Sequence, residues 1–188
     1  MPGLVSVGFY GKLPARGDFV RAGLSRAFVD PWDDWAATVL PASRAAMGEA
    51  WVPAWLEAPV WRFRLAAGIC GPDAVLGVML PSVDRVGRYF PLTLAALFGP
   101  GCRPPACAHA TAWLDRCECA GRSALEDDAT PETLSALMTV PDEGDATDIE
   151  ASLWWTDGAP RVEATQLSLA ALPDPALFTA MLGGDAMP

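Results

Sequence analysis

The chain has one histidine, His109, and one lysine, Lys12, in 188 residues. With a lone histidine set between Ala108 and Ala110, and no nucleophile-elbow pattern at any serine, nothing supports a Ser-His-Asp triad. No apolar run reaches the roughly 18 residues that cross a bilayer, so no membrane insertion is expected. Met1-Pro2-Gly3-Leu4 has no basic stretch leading into a long apolar one, so no secretory signal is expected, and the expected location is the cytoplasm. Cysteines are few and odd in number, five, which suits reduced thiols better than a secreted disulfide framework. Their spacing does not suit zinc. Cys102, Cys107 and His109 read C-x4-C-x-H, and Cys117 and Cys119 are one residue apart. Structural zinc sites use more regular cysteine pairs, and on a helix Cys117 and Cys119 point about 200° apart, so no metal is expected. Gly8-Phe9-Tyr10-Gly11-Lys12-Leu13 resembles a phosphate loop only superficially. The glycines are too close, and Leu13 stands where a hydroxyl would hold magnesium, so no nucleotide or other cofactor is expected.

What is present is apolar and aromatic. Hydrophobic residues make up 52% of the chain, enough for a sizeable core and too many for global disorder. Five of the eight tryptophans, Trp32, Trp35, Trp51, Trp55 and Trp61, fall close together and read mostly as core. The net charge of −10 is unevenly spread. Residues 1–100 carry nine Arg or Lys against eight Asp or Glu, whereas residues 101–188 carry four Arg against fifteen acids. Such an acidic half disfavours nucleic acid, whose phosphates need cations, and anionic membrane surfaces. Its simplest role is to keep a surface soluble.

Periodicity outlines the elements. Val5, Val7 and Phe9 alternate with small or polar partners and predict a strand, followed by a polar loop over 11–18. Asp30-Pro31 predicts a helix start, with Trp32, Trp35, Ala36, Val39 and Leu40 on its apolar face and Pro41 ending or kinking it. A further helical piece is expected over 42–48. Trp61, Phe63 and Leu65 alternate with Arg62 and Arg64 and predict a half-buried strand. Runs over 74–80 and 90–98 predict two more strands, antiparallel to their neighbours because the connections are short. Helices are expected over about 106–125, from Thr130-Pro131 with Leu134, Leu137 and Met138 inward, and from Asp174-Pro175 to Gly183. An acidic loop over 141–150 precedes a hairpin of 153–155 and 162–169 turned at Asp157-Gly158.

Two loops mix charge, glycine and aromatics beside strands, the composition of binding surfaces. The first holds Lys12, Arg16 and Asp18; the second, from Ser82 to Thr93, holds Ser82, Asp84, Arg85 and Arg88. Arginine suits bidentate pairing with a carboxylate or a partner's backbone. Two readings stand side by side: these residues form a partner-binding surface, or they form an internal ion-pair network that braces the fold. Arg16-Gly17-Asp18 spells an adhesion tripeptide, but Asp18 is expected to pair with a local arginine or a backbone N–H. Asp18 and Asp84 are the only carboxylates in these loops that an acid–base pair could use, and nothing in the spacing brings them together. No catalytic residue is assigned.

The segments Gly8–Phe19, Phe28–Trp32, Pro59–Phe63 and Met79–Thr93, in that order, closely resemble the TagF (ImpM) family of accessory proteins of bacterial type VI secretion. The resemblance is dense over about residues 5–100. It implies an α/β sandwich, in keeping with the strands and helices above: a single domain over 1–188, with a mixed, partly antiparallel central sheet flanked by helices and the acidic part, 101–188, completing it. It also implies a cytoplasmic, non-enzymatic regulator that restrains the secretion apparatus after translation. The implied partner is a protein of that system, such as a forkhead-associated scaffold protein. Two alternatives are a structural subunit of the apparatus and an enzyme of unrecognised type.

Overall fold

A computed structural model describes residues 4–126, 129–141 and 151–184. From residue 142 onward, the expected acidic loop lies outside the described residues. Seven strands form one sheet: β1 (Val5–Lys12), β2 (Phe19–Ala22), β3 (Trp61–Leu65), β4 (Ala74–Leu80), β5 (Leu92–Phe98), β6 (Ser152–Thr156) and β7 (Thr165–Leu169). Their spatial order is β2-β1-β5-β4-β3-β6-β7.

Every pairing is antiparallel, so the expectation of a mixed sheet is corrected. A parallel pair needs a crossover that returns the chain beside the strand it left. Here the neighbours β1–β2, β3–β4, β4–β5 and β6–β7 are consecutive in sequence, and the two helical excursions each land the chain against an oppositely running strand.

The helices are α1 (Arg26–Met47), α2 (Trp51–Leu56), α3 (Cys107–Glu126), α4 (Pro131–Leu137) and α5 (Pro175–Met181), with a 3₁₀ turn over Gly48–Ala50. Alternation along the strands divides the core in two. Trp61, Phe63 and Leu65 of β3 pack with Phe28 and Trp32 of α1, Trp51 and Trp55 of α2, and Phe178 of α5. On the other side, Leu76, Val78 and Leu80 of β4 pack with Trp113, Leu114 and Cys117 of α3 and Leu134 of α4. Cys117 is buried while Cys119 is exposed, as their opposed directions on a helix require.

The tryptophan-rich face is also a polar lattice. Trp32 Nε1 donates to Thr93 Oγ1 at 3.1 Å, Trp51 Nε1 to Ser43 Oγ at 2.8 Å, and Trp61 Nε1 to the Met181 carbonyl at 3.1 Å. These bonds let large indoles be buried without stranding their N–H groups. On the opposite face, Arg62 of β3 reaches Asp115 at 2.8 Å and Glu118 at 3.0 Å on α3, so part of the acidic half is spent on internal pairs.

Further expectations are corrected. First, α1 starts at Arg26 rather than Asp30 and runs through both Pro31 and Pro41 to Met47. A proline inside a helix costs about 3 kcal/mol and frees the carbonyl four residues back. For Pro31 that carbonyl is Ala27's, against which Gly71 packs closely; for Pro41 it belongs to Ala37, on the exposed face. Burial of Phe28, Val29, Trp32, Ala36 and Val39 outweighs both, at roughly 1.5–3 kcal/mol for each large side chain. Second, β2 follows the expected loop, over residues to which no element was assigned; it is short, and only its pairing with β1 defines it. Third, β5 begins at Leu92 rather than Phe90, the second strand of the C-terminal hairpin begins at Thr165 rather than Val162, so that residues 157–164 connect β6 and β7, and Leu137 of α4 faces solvent.

Gly71 and Gly87 separate two costs of a side chain. Both hold positive φ, 95° and 84°. A Cβ at Gly71 would sit 2.3 Å from the Ala27 carbonyl oxygen, whereas one at Gly87 would meet nothing within 4 Å. Gly87→Ala should cost about 1–2 kcal/mol from the left-handed backbone alone, and Gly71→Ala roughly twice that or more, both read from urea unfolding midpoints.

Candidate functional site

The β4–β5 hairpin places its loop beside the end of β1, because β5 pairs with β1 on its other side. The loop closes on itself: Val83 bridges Tyr89, and the Phe90 N–H donates to the Ser82 carbonyl at 3.2 Å. It is then tied to its surroundings. Ser82 Oγ donates to the Lys12 carbonyl at 2.7 Å, and Trp55 Nε1 donates to the Ser82 carbonyl at 3.1 Å.

At the centre lies Asp84, whose carboxylate has no solvent contact. Oδ2 accepts from Lys12 Nζ at 2.6 Å and from Arg88 Nε at 2.7 Å. Oδ1 accepts the backbone N–H of Val86 at 3.0 Å and of Arg88 at 2.8 Å. Burial alone would raise the Asp84 carboxyl, but the hydrogen bonds from Lys12 and from the Arg88 backbone and side chain outweigh it and hold the group well below the usual carboxylate range. Lys12 is equally buried, and its ammonium also lies 4.5 Å from the centre of the Phe19 ring. Such a pair is tolerable only because its donors and acceptors are matched.

Around this buried centre the other charges face outward. The Arg88 guanidinium reaches from Asp84 to the Gly17 carbonyl, and its Nη2 lies 3.9 Å from the fully exposed Asp18. Arg16 and Arg85 are exposed, and neither guanidinium makes a hydrogen bond or ion pair with any described residue. Their backbones are nonetheless joined, the Arg85 N–H donating to the Arg16 carbonyl at 3.1 Å. Phe19 is 47% exposed yet held by Tyr10, stacked at 5.5 Å, and by Phe90, edge-on at 4.7 Å. A groove of about 420 Å³ runs between these residues and α4, lined by Arg16, Asp18, Phe19, Arg85, Pro131 and Glu132.

The seven residues singled out in the two loops therefore meet in space but divide by role. Lys12, Ser82 and Asp84 are buried and paired inward, while Arg16, Asp18 and Arg85 form an exposed rim, with Arg88 joining the two sets. Asp18 and Asp84 lie on opposite sides of Arg88, one in solvent and one sealed, and do not form an acid–base pair. Burial pushes the thiols of Cys70 and Cys117 up to about 12, which keeps them from acting as nucleophiles. Among the described residues no three His, Cys, Asp or Glu side chains gather as a metal site. Sequence reading missed Phe19, which lay at the end of a loop motif, and Glu132, which only tertiary packing brings to the groove.

The family profile described as "TagF N-terminal domain, Type VI secretion system-associated" matches residues 8–140. The chain belongs to the TagF family. The match extends through α3 and α4, beyond the region where the motifs are dense. A search of curated proteins found no match. Among solved structures, the chain is similar to PA0076 from Pseudomonas aeruginosa PAO1, with 35% identity, 97% of each chain covered and a TM-score of 0.81. Both TagF motif loops fall within the matched residues, so the Lys12–Asp84 centre lies in the family domain. No helix among the described residues is long and apolar enough to cross a membrane.

Removing either buried partner strands a charge. Lys12→Met or Asp84→Ala should each cost about 3–5 kcal/mol, and the double variant should cost much less than their sum. Arg16→Ala and Arg85→Ala should stay within about 0.5 kcal/mol of the parent, all by chemical denaturation. Because the Asp84 carboxyl is depressed in the folded state, its contribution is fully present above the unfolded value of about 3.9 and is lost as pH falls below it. The stability gap between the parent and Asp84→Asn should therefore be constant near neutrality and narrow below about pH 4.

Proposed function

We propose that this TagF-family chain is a cytoplasmic regulator of type VI secretion that acts by protein–protein contact, not by catalysis. The contact face is the rim built by residues 11–19 and 82–90, and the partner is a protein of the secretion system, with a forkhead-associated scaffold as first choice. One observation carries the reading: buried charges hold the loop rigid from below while Arg16, Arg85 and Phe19 are left unpartnered or exposed above it. A rigid aromatic beside arginines is the residue mix of interface hot spots, and preorganisation lowers the entropy lost on binding. The acidic 101–188 part supports the same view from another side, since it disfavours nucleic acid as the partner.

The experiment is affinity capture of tagged protein from its own cytoplasm beside an Arg16→Ala/Arg85→Ala variant. The expected result is a secretion-system protein recovered by the parent and lost, or reduced at least about tenfold, with the variant. Equal recovery by both forms would move the contact off this face. Stoichiometric recovery with assembled apparatus would favour a structural subunit instead.

A further inference from the structure

The 82–90 loop has a second flank, turned toward α1 and α2. A hollow of about 330 Å³ lies there, lined by Leu40, Pro41, Arg44, Trp51, Arg88 and Tyr89. Gly87 keeps it open from the loop side, because a Cβ on that residue would meet nothing within 4 Å. Leu40 and Pro41 give the hollow an apolar side on α1. Trp51 and Tyr89, packed edge-to-face at 5.1 Å, give it an aromatic one.

Its charge differs from that of the groove on the first flank. Asp18 and Glu132 line that groove together with Arg16 and Arg85, so it is neutral. Two guanidiniums line the second hollow, and no carboxylate does. Arg88 is already committed, to Asp84 through Nε and to the Gly17 carbonyl through Nη2, with Asp18 3.9 Å away. Lys12 and Arg88 together cancel Asp84 and Asp18. Arg44 is the charge left over. It is exposed, its guanidinium lies 5.4 Å over the Trp51 ring, and it makes no hydrogen bond or ion pair with any described residue. In a chain with 23 acidic residues against 13 basic ones, that is a departure. Arg62, Arg122 and Arg161 each hold a carboxylate of the chain itself. A guanidinium lying over an indole is steadied by the ring and keeps its N–H donors for another group.

We infer that this hollow receives a single aspartate or glutamate side chain of a protein partner, its carboxylate on Arg44 and a neighbouring apolar side chain against Leu40, Pro41 and Tyr89. The inference rests on the protein-contact reading above and extends that contact face across the loop to α1. A guanidinium fork matches a carboxylate bidentately, and one carboxylate matches one uncancelled positive charge. The half-buried Leu40, Pro41 and Tyr89 supply apolar surface beside that charge, which a lone ion would leave wet. The receiving geometry is formed in advance, since Asp84 fixes the path of the loop and Trp51 steadies Arg44. A nucleic acid would need several uncancelled cations in a row, and this hollow offers one.

The probe is the blocked tripeptide acetyl-Leu-Glu-Leu-amide, titrated into the whole ¹⁵N-labelled chain and followed by the amide resonances of Gly87 and Tyr89. Saturable shifts at both are expected, and acetyl-Leu-Gln-Leu-amide, the same shape without the charge, should bind about tenfold more weakly or worse. Arg44→Ala should weaken the glutamate peptide by a similar factor. The Trp51 Nε1–H resonance, held by Ser43, should persist in that variant and show that the site is still folded. Arg16→Ala/Arg85→Ala should leave the affinity within about twofold, because those residues line the other groove. Absence of saturable shifts at Gly87 and Tyr89 at low salt would overturn the inference. So would equal binding of the glutamine peptide, unchanged affinity in Arg44→Ala, or an oligothymidylate that shifts the same resonances as tightly. The two readings fail separately. If the parent captures a secretion-system protein through the loop but the glutamate peptide leaves the hollow unperturbed, the contact stands and the chemistry of the hollow is wrong. If the peptide binds here but no such protein is captured, the hollow stands and the regulator reading is wrong.

Discussion

A carboxylate sealed from water in the loop after β4 needs every one of its donors, and Asp84 has four: the Lys12 ammonium, the Arg88 guanidinium, and the N–H groups of Val86 and Arg88. An unpaired charge in that position would cost several kcal/mol, a sizeable share of the stability of a domain this size. The loop backbone therefore has little freedom. Its path from Asp84 to Arg88 is the path that closes both hydrogen bonds to Oδ1, and that path determines where Arg85 and Val86 emerge. The chain's single lysine is spent beneath the surface, and around it Arg16, Arg85 and Arg88 are left to face outward.

The rest of the architecture serves this arrangement. Antiparallel pairing of β5 with both β1 and β4 brings two loops more than sixty residues apart to one end of these interior strands. Indole donors then fasten that end to the helical layer: Trp55 to the Ser82 carbonyl, and Trp32 to Thr93 at the start of β5. Tyr10 adds a 2.5 Å hydrogen bond to Asp33 of α1, and burial together with Asp33 raises its hydroxyl above the ordinary tyrosine value, so it remains a donor at any physiological pH. Tyr10 in turn carries Phe19, which would otherwise be a loose aromatic on the shortest strand of the sheet. Charged rim, aromatic support and tryptophan core are thus mechanically one unit.

Much of this was legible in the residue order, for local reasons. β3 and β4 follow from alternation and an uninterrupted apolar run. α4 and α5 follow from Thr130-Pro131 and Asp174-Pro175, whose side-chain caps are formed. What failed was non-local. Pro31 imitates a helix start, and only the packing of Phe28 and Val29 against the sheet carries α1 back to Arg26. β2 has no periodicity of its own and exists as the partner of β1. A wholly antiparallel sheet could not be told from a mixed one, because strand order depends on where long excursions land. In the site, charge and glycine singled out both loops. Which charges are buried was hidden, since Lys12 and Asp84 are 72 residues apart and either could as well have faced water.

The central claim is that the buried carboxylate, not contact with a partner, holds the 82–90 loop in its binding shape. Amide hydrogen exchange on the isolated chain tests it most directly. The N–H groups of Val86 and Arg88 lie in an exposed stretch but donate to Asp84 Oδ1. The account predicts that both exchange far more slowly than neighbouring surface amides, and that Asp84→Asn releases them while the β4 and β5 amides stay protected. Exchange of Val86 and Arg88 at unprotected rates in the parent chain would contradict it, because the loop would then take its shape only from whatever binds it.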